Sequence, residues 1–307
     1  MMLNELCVRE WQYLAAKGSY KEARLVLAGL PLELTVSFRP GTREGPQAIR
    51  AASQGLEEYS PYLREDLNDH LIFDCGDLAL PFGNLQVAFQ RIEALCRVLL
   101  ADAKIPVFLG GEHLITFPVV KTLVEAYSGL KVLHFDAHAD LRDDYLGEKY
   151  SHATVIRRVC EIVGAGNVYQ FGIRSGTKEE FEYGRSCTVF YPFEILPGLE
   201  SCLQSLEGHP VYVTVDIDVI DPAYAPGTGT PEPGGVTPQE LFRVFELLEG
   251  CRIVGCDFVE LAPVYDRSGI TSILAAKLVR EALLAFSRGV EGRNSPTGDR
   301  KGGKSVD

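Results

Sequence analysis

The chain has 307 residues, of which 46% are hydrophobic, and a formal net charge of −12 at pH 7. This composition excludes disorder along most of the chain, and the acidic balance disfavours nucleic acid, because phosphate binding requires a basic surface. No apolar run approaches the ~20 residues of a membrane-spanning helix, and residues 1–18 lack the apolar core of a signal peptide. We therefore expect a soluble, cytoplasmic protein that does not bind membranes.

Apolar, β-branched runs alternate with helical patterns along the chain. They predict strands near residues 24–29, 71–74, 105–109, 130–136, 167–172, 187–191, 211–217 and 252–259. Helices are predicted within 84–103 from an apolar stripe, across 238–249 from the capping box Thr237-Pro-Gln-Glu, and over about 270–288. This alternation predicts an α/β fold, a three-layer α/β/α sandwich with a mostly parallel sheet of about eight strands.

The predicted elements favour one domain rather than two. We expect this single domain to cover residues 1–288, and we expect the polar, Gly-rich tail over 289–307 to be disordered. The eight cysteines form no C-x-x-C pair, so they are predicted to be buried thiols rather than ligands of a zinc ribbon.

Three polar segments follow predicted strands, and the carboxyl ends of the strands are where sheets of this kind bind ligands. Gly110-Gly111-Glu112-His113 follows the third strand, Asp136-Ala137-His138-Ala139-Asp140 the fourth, and Asp216-Ile217-Asp218 lies at the end of the seventh. Alternate residues of an extended segment point to the same side, so the acidic side chains and imidazoles should converge. The Gly- and Pro-rich run 226–235 predicts a rigid loop at the rim of an active site.

So many ionisable side chains at one edge of a buried sheet require a counter-charge, because they would otherwise repel and desolvate one another. Together the three segments supply two His and four Asp, although each segment by itself is also compatible with an ordinary polar loop. Mixed imidazole and carboxylate ligation suits Mn²⁺, Zn²⁺ or Fe²⁺, and four carboxylates are too many for a single zinc site. The set predicts two divalent ions about 3.5–4 Å apart that convert a shared water to hydroxide, which is the core of a hydrolase.

The motifs GGEH, DAHAD and VDIDVIDPAYAPGTGTPEPGG closely resemble the signatures of the ureohydrolase family, which contains arginase and agmatinase. The resemblance extends over most of the chain and includes the further segments 39–46, 150–154, 172–175 and 259–263. In detail the pattern is most similar to bacterial agmatinases. The resemblance implies the arginase/deacetylase fold and two Mn²⁺ ions per subunit.

The resemblance also implies the metal ligands by motif position. One Mn²⁺ would be held by His113, Asp136, Asp140 and Asp216, and the other by Asp136, His138, Asp216 and Asp218, with Asp136 and Asp216 bridging. Glu112 stands where many relatives have Asp, at a position that is not a ligand in the family. His134 is predicted to lie in the core or behind the ligands.

The implied reaction is attack of the bridging hydroxide on the guanidinium carbon of the substrate. Because the guanidinium charge is delocalised, the nucleophile must be strong and fixed in place, and the metals must stabilise the tetrahedral intermediate. Asp140 is predicted to take the proton of the hydroxide and pass it to the leaving amine. His152 is predicted to contact the substrate and exchange protons with solvent, and Glu260 to accept paired hydrogen bonds from the guanidinium.

Agmatine, a small cationic guanidino compound, is the expected substrate, with putrescine and urea as products. The residues after DAHAD lack the Asn with which arginases read a carboxylate, and Asp143, Asp144 or Glu148 could attract the distal amine of agmatine. Arg142 could pair with a neighbouring acid or bind the carboxylate of guanidinobutyrate.

Other functions remain open at this point. The nearest is a ureohydrolase that acts on aminopropylagmatine, guanidinobutyrate or arginine. An amide deacetylase with one Zn²⁺ and a non-enzymatic relative are disfavoured, because every ligand position is intact. The family also implies a homo-oligomer, a trimer or hexamer.

Overall fold

The computed structural model describes residues 6–8 and 11–291, with side chains through residue 288. Its strands are β1 (Cys7–Val8), β2 (Leu25–Leu30), β3 (Tyr59–Ser60), β4 (Glu65–Asp66), β5 (Ile72–Leu78), β6 (Ile105–Gly110), β7 (Lys131–Phe135), β8 (Val168–Phe171), β9 (Val189–Tyr191), β10 (Pro210–Asp216) and β11 (Arg252–Val259). Its helices are α1 (Gly45–Ser53), α2 (Leu85–Ala101), α3 (Thr116–Ala126), α4 (Val155–Val163), α5 (Lys178–Cys187), α6 (Leu196–Leu206), α7 (Pro238–Leu248) and α8 (Ile270–Glu291).

Among the described residues, nine strands form one sheet, in the order β1-β5-β2-β6-β11-β10-β7-β8-β9. The pairs are parallel except that β1 runs antiparallel to β5 at the edge. The mostly parallel sheet and the eight predicted strands are confirmed. The ninth strand, β1, has two residues, which is too short for a periodic pattern to reveal.

Helices cover both faces of the sheet, and each face has its own hydrophobic cluster. Val211, Val213 and Val215 on β10 pack into the cluster with α1, α6, α7 and α8. Tyr212, between them, packs into the opposite cluster with α2, α3, α4 and α5. This alternation follows from the two-residue repeat of a strand, and it explains why buried parallel strands are apolar on both sides.

The predicted helices are also present, with small changes at their ends. The capping box opens α7, where Thr237 and Glu240 bind each other's backbone N–H. Helix α8 continues to Glu291, beyond the boundary predicted at residue 288. The rest of the predicted tail, 292–307, lies outside the described residues. Within the part of the chain that is described, no helix is both long and apolar enough to cross a membrane.

The order of the central strands positions the candidate site. Strands β6, β11, β10 and β7 are neighbours and run parallel. Their carboxyl ends therefore meet at one edge of the sheet. They are followed there by the three polar segments of the sequence and by Glu260.

A buried ion pair joins α1 to β5. Arg50 and Asp74 are 2% and 0% exposed, and Arg50 donates hydrogen bonds of 2.8 Å and 3.0 Å to the two oxygens of Asp74. Arg50 also pairs with Asp77, and the backbone N–H of Tyr13 donates to Asp74 at 2.8 Å. Because the pair is withdrawn from water, loss of either partner would leave an uncompensated buried charge.

Candidate active site and metal centre

His113 faces three carboxylates at the carboxyl end of β6. Its Nδ1 lies 3.1 Å from Asp136 Oδ2, 3.3 Å from Asp140 Oδ2 and 3.4 Å from Asp216 Oδ2. All four side chains are buried, and His113 Nδ1 has no hydrogen-bond partner among the described residues. This arrangement offers one imidazole nitrogen and three carboxylate oxygens to a cation.

His138 forms a second group beside the first. Its Nδ1 lies 2.9 Å from Asp218 Oδ2 and 3.6 Å from Asp136 Oδ1. Asp136 therefore presents one oxygen to each group, as a bridging ligand would. Asp216 directs Oδ2 to His113, whereas its Oδ1 accepts a hydrogen bond of 2.9 Å from the backbone N–H of Asp218.

The electrostatics of both groups fit divalent cations. Asp218 Oδ2, like His113 Nδ1, is buried and has no hydrogen-bond partner in the described part of the chain. Burial and the charge of Asp136 raise the pKa of Asp140 to about 7. Burial and the charges of Asp218 and Asp136 also raise the pKa of Asp216. Unpartnered donor atoms among carboxylates that repel one another are the environment that a pair of metal ions would satisfy.

His134 contacts Asp136, the carboxylate that faces both His113 and His138. It is buried, and its Nε2 lies 2.8 Å from Asp136 Oδ2. The side-chain amide of Gln170, on β8, lies 3.1 Å from His134 Nδ1 and also donates to the backbone oxygen of Ala139 at 2.9 Å. His134 is buried, as expected for a core residue, but it also belongs to the same group of potential metal-binding side chains as His113, Asp136 and Asp140. Gln170 carried no signal in the sequence, because a polar residue within a buried strand belongs to no motif.

Two site carboxylates lie on left-handed backbone. The φ angle is 54° at Asp140 and 65° at Glu260. This conformation is uncommon for residues other than glycine and costs on the order of 1–3 kcal/mol. Here it directs Asp140 towards His113 and places Glu260 against the backbone of His113, whose N–H donates to Glu260 Oε1 at 2.6 Å. Burial raises the pKa of Glu260 to about 8.

A cavity of about 260 Å³ opens from these groups. It brings together His113, His138, Asp140, Asp216, His152 and Glu260. Its lining also includes Ser37, Glu180 and Thr230, and the partly exposed side chains of Arg142 and Tyr145 form its outer wall. All three predicted catalytic residues therefore face one space. The predicted ligands Asp136 and Asp218 are buried and are not among the residues that line this cavity.

The acids expected near the distal end of the substrate lie elsewhere. Asp143, Asp144 and Glu148 do not line the cavity. Asp143 pairs with Arg158 at 2.9 Å, and Asp144 accepts from the backbone N–H of Gly147 at 3.2 Å. A contact with helix α4 orients Asp143, and a contact within the loop orients Asp144; sequence spacing does not reveal such contacts.

Arg142 pairs with a neighbouring acid, the first of its two predicted roles. Its Nε lies 3.5 Å from Glu180 Oε2, and its guanidinium lies 5.0 Å from the centre of the Tyr145 ring. Glu180 also accepts from the backbone N–H groups of Leu141 and Thr177, at 3.0 Å and 2.8 Å. This buried carboxylate therefore joins the loops that follow β7 and β8 and holds a cation at the outer wall of the cavity.

Glu112 holds the segment against which His152 packs. Its carboxylate is fully buried and accepts from Leu34 N at 2.9 Å, Thr35 N at 3.0 Å and Thr35 Oγ1 at 2.7 Å. Thr35 Oγ1 in turn accepts from the backbone N–H of His152 at 3.1 Å and lies 3.4 Å from its Nδ1. Burial lowers the pKa of His152 to about 4, so the imidazole is neutral at neutral pH.

Two arginines hold the Gly- and Pro-rich rim loop. Arg174 donates to the backbone oxygens of Glu232 at 2.6 Å and Asp218 at 2.7 Å. Arg39 donates to the backbone oxygens of Thr228 at 2.7 Å and Gly229 at 3.0 Å. These bonds, together with Thr230 in the cavity wall, agree with the predicted rigid rim.

The chain is similar to known proteins over most of its length. The model of the arginase family matches residues 23–285. The chain belongs to the arginase family. An agmatinase of Bacillus anthracis is 50% identical over 277 residues, which cover 89% of this chain and 96% of that protein.

Two further members of the arginase family extend the comparison. A guanidinobutyrase of Pseudomonas aeruginosa is 38% identical over 270 residues, 83% of this chain and 78% of that protein. The solved structure of an agmatine ureohydrolase of Thermoplasma volcanium superimposes with a TM-score of 0.84 at 35% identity, over 93% of this chain and 97% of that chain. The family and its fold are thereby confirmed for this chain.

Proposed function

We propose that this protein is an agmatinase, which hydrolyses the guanidino group of agmatine to give putrescine and urea. The observation that carries the proposal is the meeting of two His–Asp groups and the carboxylate of Glu260 in one cavity. Its support from relatives is the identity of 50% with an agmatinase.

We propose that the two groups hold two Mn²⁺ ions. His113, Asp136, Asp140 and Asp216 would hold one ion, and Asp136, His138, Asp216 and Asp218 the other. Mixed imidazole and carboxylate ligation suits Mn²⁺, although it also accommodates other divalent transition metals. Two such ions, when bound, would lower the pKa of a shared water molecule and supply a hydroxide nucleophile near neutral pH.

Glu260 would bind and orient the substrate. One of its oxygens is held by the backbone N–H of His113, so the other is available to a planar guanidinium. Burial raises the pKa of the Glu260 carboxyl group, and a bound guanidinium would stabilise its ionised form. The pairing of carboxylate and guanidinium is therefore favourable in this buried position. The guanidinium carbon would thus be held beside the metal centre.

Asp140 and His152 would move the protons. Asp140 is a buried residue of the cavity lining, and its carboxylate can hold the proton of the nucleophile and pass it to the leaving amine. His152 is neutral and half-buried at the wall of the same cavity, so it can accept or release a proton without moving a charged group through the protein. Glu112 and Thr35 fix the position of His152.

A second candidate substrate is a guanidino acid such as guanidinobutyrate. The observation that favours it is Arg142, a cation at the outer wall of the cavity, where a carboxylate at the distal end of a substrate would lie. The pairing with Glu180 offsets that charge and favours agmatine. Aminopropylagmatine and arginine are further substrates to compare.

We also propose a homo-oligomer, a trimer or hexamer, in the cytoplasm. Several large apolar side chains are exposed, among them Phe82 and Leu146 at 83% and 84%, as expected where subunits associate. Five of the eight cysteines are buried thiols, which is consistent with a reducing compartment: Cys75, Cys96, Cys160, Cys202 and Cys256. The prediction of burial was wrong for Cys187, which is exposed near the end of α5. Light scattering after size-exclusion chromatography would give the oligomeric state.

Urea release by protein reconstituted with Mn²⁺ tests the proposed function. Agmatine, aminopropylagmatine, guanidinobutyrate and arginine would be compared under the same conditions, with chelator-treated protein and Asp218→Asn as controls. We expect agmatine to have the highest kcat/KM and both controls to lose activity. A preference for guanidinobutyrate would favour the second candidate, and metal-loaded protein that releases no urea from any substrate would contradict both.

A further inference from the structure

We infer that Asp257 is a positioning residue that holds His113 in its metal-binding orientation through the hydroxyls of Thr214 and Thr116. The inference rests on the proposed metal binding by His113. It concerns a set of polar residues buried between β10, β11 and the start of α3, away from the cavity. None of the three supporting residues touches the substrate space.

The first link is a hydrogen bond from the imidazole itself. His113 Nε2 lies 2.9 Å from Thr214 Oγ1, while Nδ1 faces the three carboxylates of the first metal group. The two ring nitrogens of a neutral imidazole differ, because one carries the proton and the other the lone pair. The nitrogen that keeps its lone pair for a metal therefore depends on whether Thr214 donates a hydrogen bond to Nε2 or accepts one from it.

The next two hydrogen bonds determine which threonine hydroxyl donates its proton to which oxygen. Thr116 Oγ1 donates to Asp257 Oδ2 at 2.8 Å, and Thr214 Oγ1 lies 3.4 Å from Thr116 Oγ1. A carboxylate only accepts, so Thr116 gives its single proton to Asp257. Thr214 then gives its proton to Thr116 or directly to Asp257, with which it also interacts, and in either case the oxygen of Thr214 is left to accept from His113 Nε2–H. The chain of bonds therefore leaves the lone pair of His113 on Nδ1, directed at the metal group.

Burial of the Asp257 carboxylate costs free energy of folding, which points to a role beyond packing. Asp257, Thr116 and Thr214 are all 0% exposed. Tyr212 also donates to Asp257 Oδ2, at 2.5 Å, yet Asp257 Oδ1 is buried without a hydrogen-bond partner among the described residues. Leaving a buried carboxylate oxygen unpaired destabilises the fold, so packing alone does not account for an acid at this position of β11.

The expected effect is confined to one of the two metal groups. Partners of this kind fix the tautomer of a ligating imidazole, orient its ring and raise its basicity, and their loss costs about 10–100-fold in metal affinity. His138, in the second group, has no contact with Thr214, Thr116 or Asp257 in the described hydrogen bonds and ion pairs. Loss of the chain of bonds should therefore weaken one Mn²⁺-binding step and spare the other.

The test is a Mn²⁺ titration of metal-free protein, in which free Mn²⁺ is followed by electron paramagnetic resonance. Thr214→Val interrupts the connection between Asp257 and His113 with little change in shape, Thr116→Val removes one of its two routes, and Asp257→Asn removes its terminal charge. Tyr212→Phe is the matched control, because it removes a donor to the same oxygen of Asp257 without lying between Asp257 and His113. Thermal unfolding of each metal-free variant reports changes in the fold.

We expect Thr214→Val and Asp257→Asn to raise the Kd of one binding step about 10-fold and leave the other step unchanged, with a smaller rise in the same step for Thr116→Val. Tyr212→Phe should leave both steps at their wild-type affinities, whatever it does to the unfolding temperature. Wild-type affinity in Thr214→Val or in Asp257→Asn would overturn the inference, as would an equal loss in Tyr212→Phe or a wild-type protein that binds no Mn²⁺. Because binding is measured without substrate, a failure of agmatine hydrolysis alone leaves this inference standing.

Discussion

The backbone N–H of His113 donates a hydrogen bond of 2.6 Å to Oε1 of Glu260. The bond joins the segment after β6 to the end of β11, two strands that are neighbours in the sheet. One residue of the metal group and the proposed substrate carboxylate therefore hold each other in place. A change at Glu260 can remove its charge while keeping this link.

Glu260→Gln should lower kcat/KM for agmatine by about 10–100-fold, the value of a charge-assisted hydrogen bond. The amide oxygen can still accept from His113 N, so we expect Mn²⁺ content to stay at the wild-type level. Urea release and metal analysis would measure both quantities. Glu200→Gln, which removes the same charge from an exposed position, is the control. An unchanged kcat/KM would contradict the proposed role of Glu260.

Glu112→Asp should lower kcat about 10-fold with little change in Mn²⁺ affinity, because the shorter carboxylate no longer reaches Leu34 and Thr35. The segment that orients His152 would then be free to move. Glu33→Asp is a matched control, because Glu33 accepts from the backbone N–H groups of Gly41 and Arg43 and makes no contact with His152 in the described hydrogen bonds. Equal kinetics for Glu112→Asp and Glu33→Asp would show that Glu112 does not act through His152.

Arg142→Gln should change substrate preference. Removing a cation from the outer wall relieves repulsion of the distal amine of agmatine and removes attraction for a carboxylate. We expect the ratio of kcat/KM for agmatine to that for guanidinobutyrate to rise by about 2–10-fold, since screened charges contribute on the order of 1 kcal/mol. Arg157→Gln gives the same change in net charge away from the cavity, where Arg157 lies against Tyr183. A fall in the ratio for Arg142→Gln would indicate that Arg142 positions other groups of the distal site.

Asp74→Asn should destabilise the fold by about 3–5 kcal/mol, because it leaves Arg50 buried without its main counter-charge. Asp77→Asn should cost less, since its side chain is 33% exposed and can be replaced by water. Urea unfolding followed by circular dichroism, at one fixed protein concentration, compares the two. Similar losses of stability would mean that Arg50 depends equally on both acids.

Much of the fold was predictable because buried parallel strands are apolar along their whole length. The eight strand predictions and the capping box at Thr237 depend on local patterns that the structure retains. The order of the strands was not predictable in this way. β11 lies between β6 and β10, although about 40 residues separate it from β10 and far more from β6. Pairing of distant strands depends on packing across the whole sheet, which no local pattern records.

The sequence by itself determined the chemical composition of the site. Three segments with His and Asp at alternate positions after apolar strands were sufficient to predict a metal-dependent hydrolase, and the motifs were sufficient to indicate the family. These features are local, because the spacing of ligands along an extended segment decides which side chains converge.

Only the tertiary structure decided which residues lie behind the histidines of the candidate site. Gln170 behind His134, Glu112 behind His152 and Asp257 behind His113 are each brought to the site by strands or loops distant in sequence. It also directed Asp143 and Asp144 away from the cavity and placed Arg142 against Glu180. A buried polar side chain takes its role from the partners that the fold places within hydrogen-bonding distance, and those partners belong to no periodic pattern in the chain.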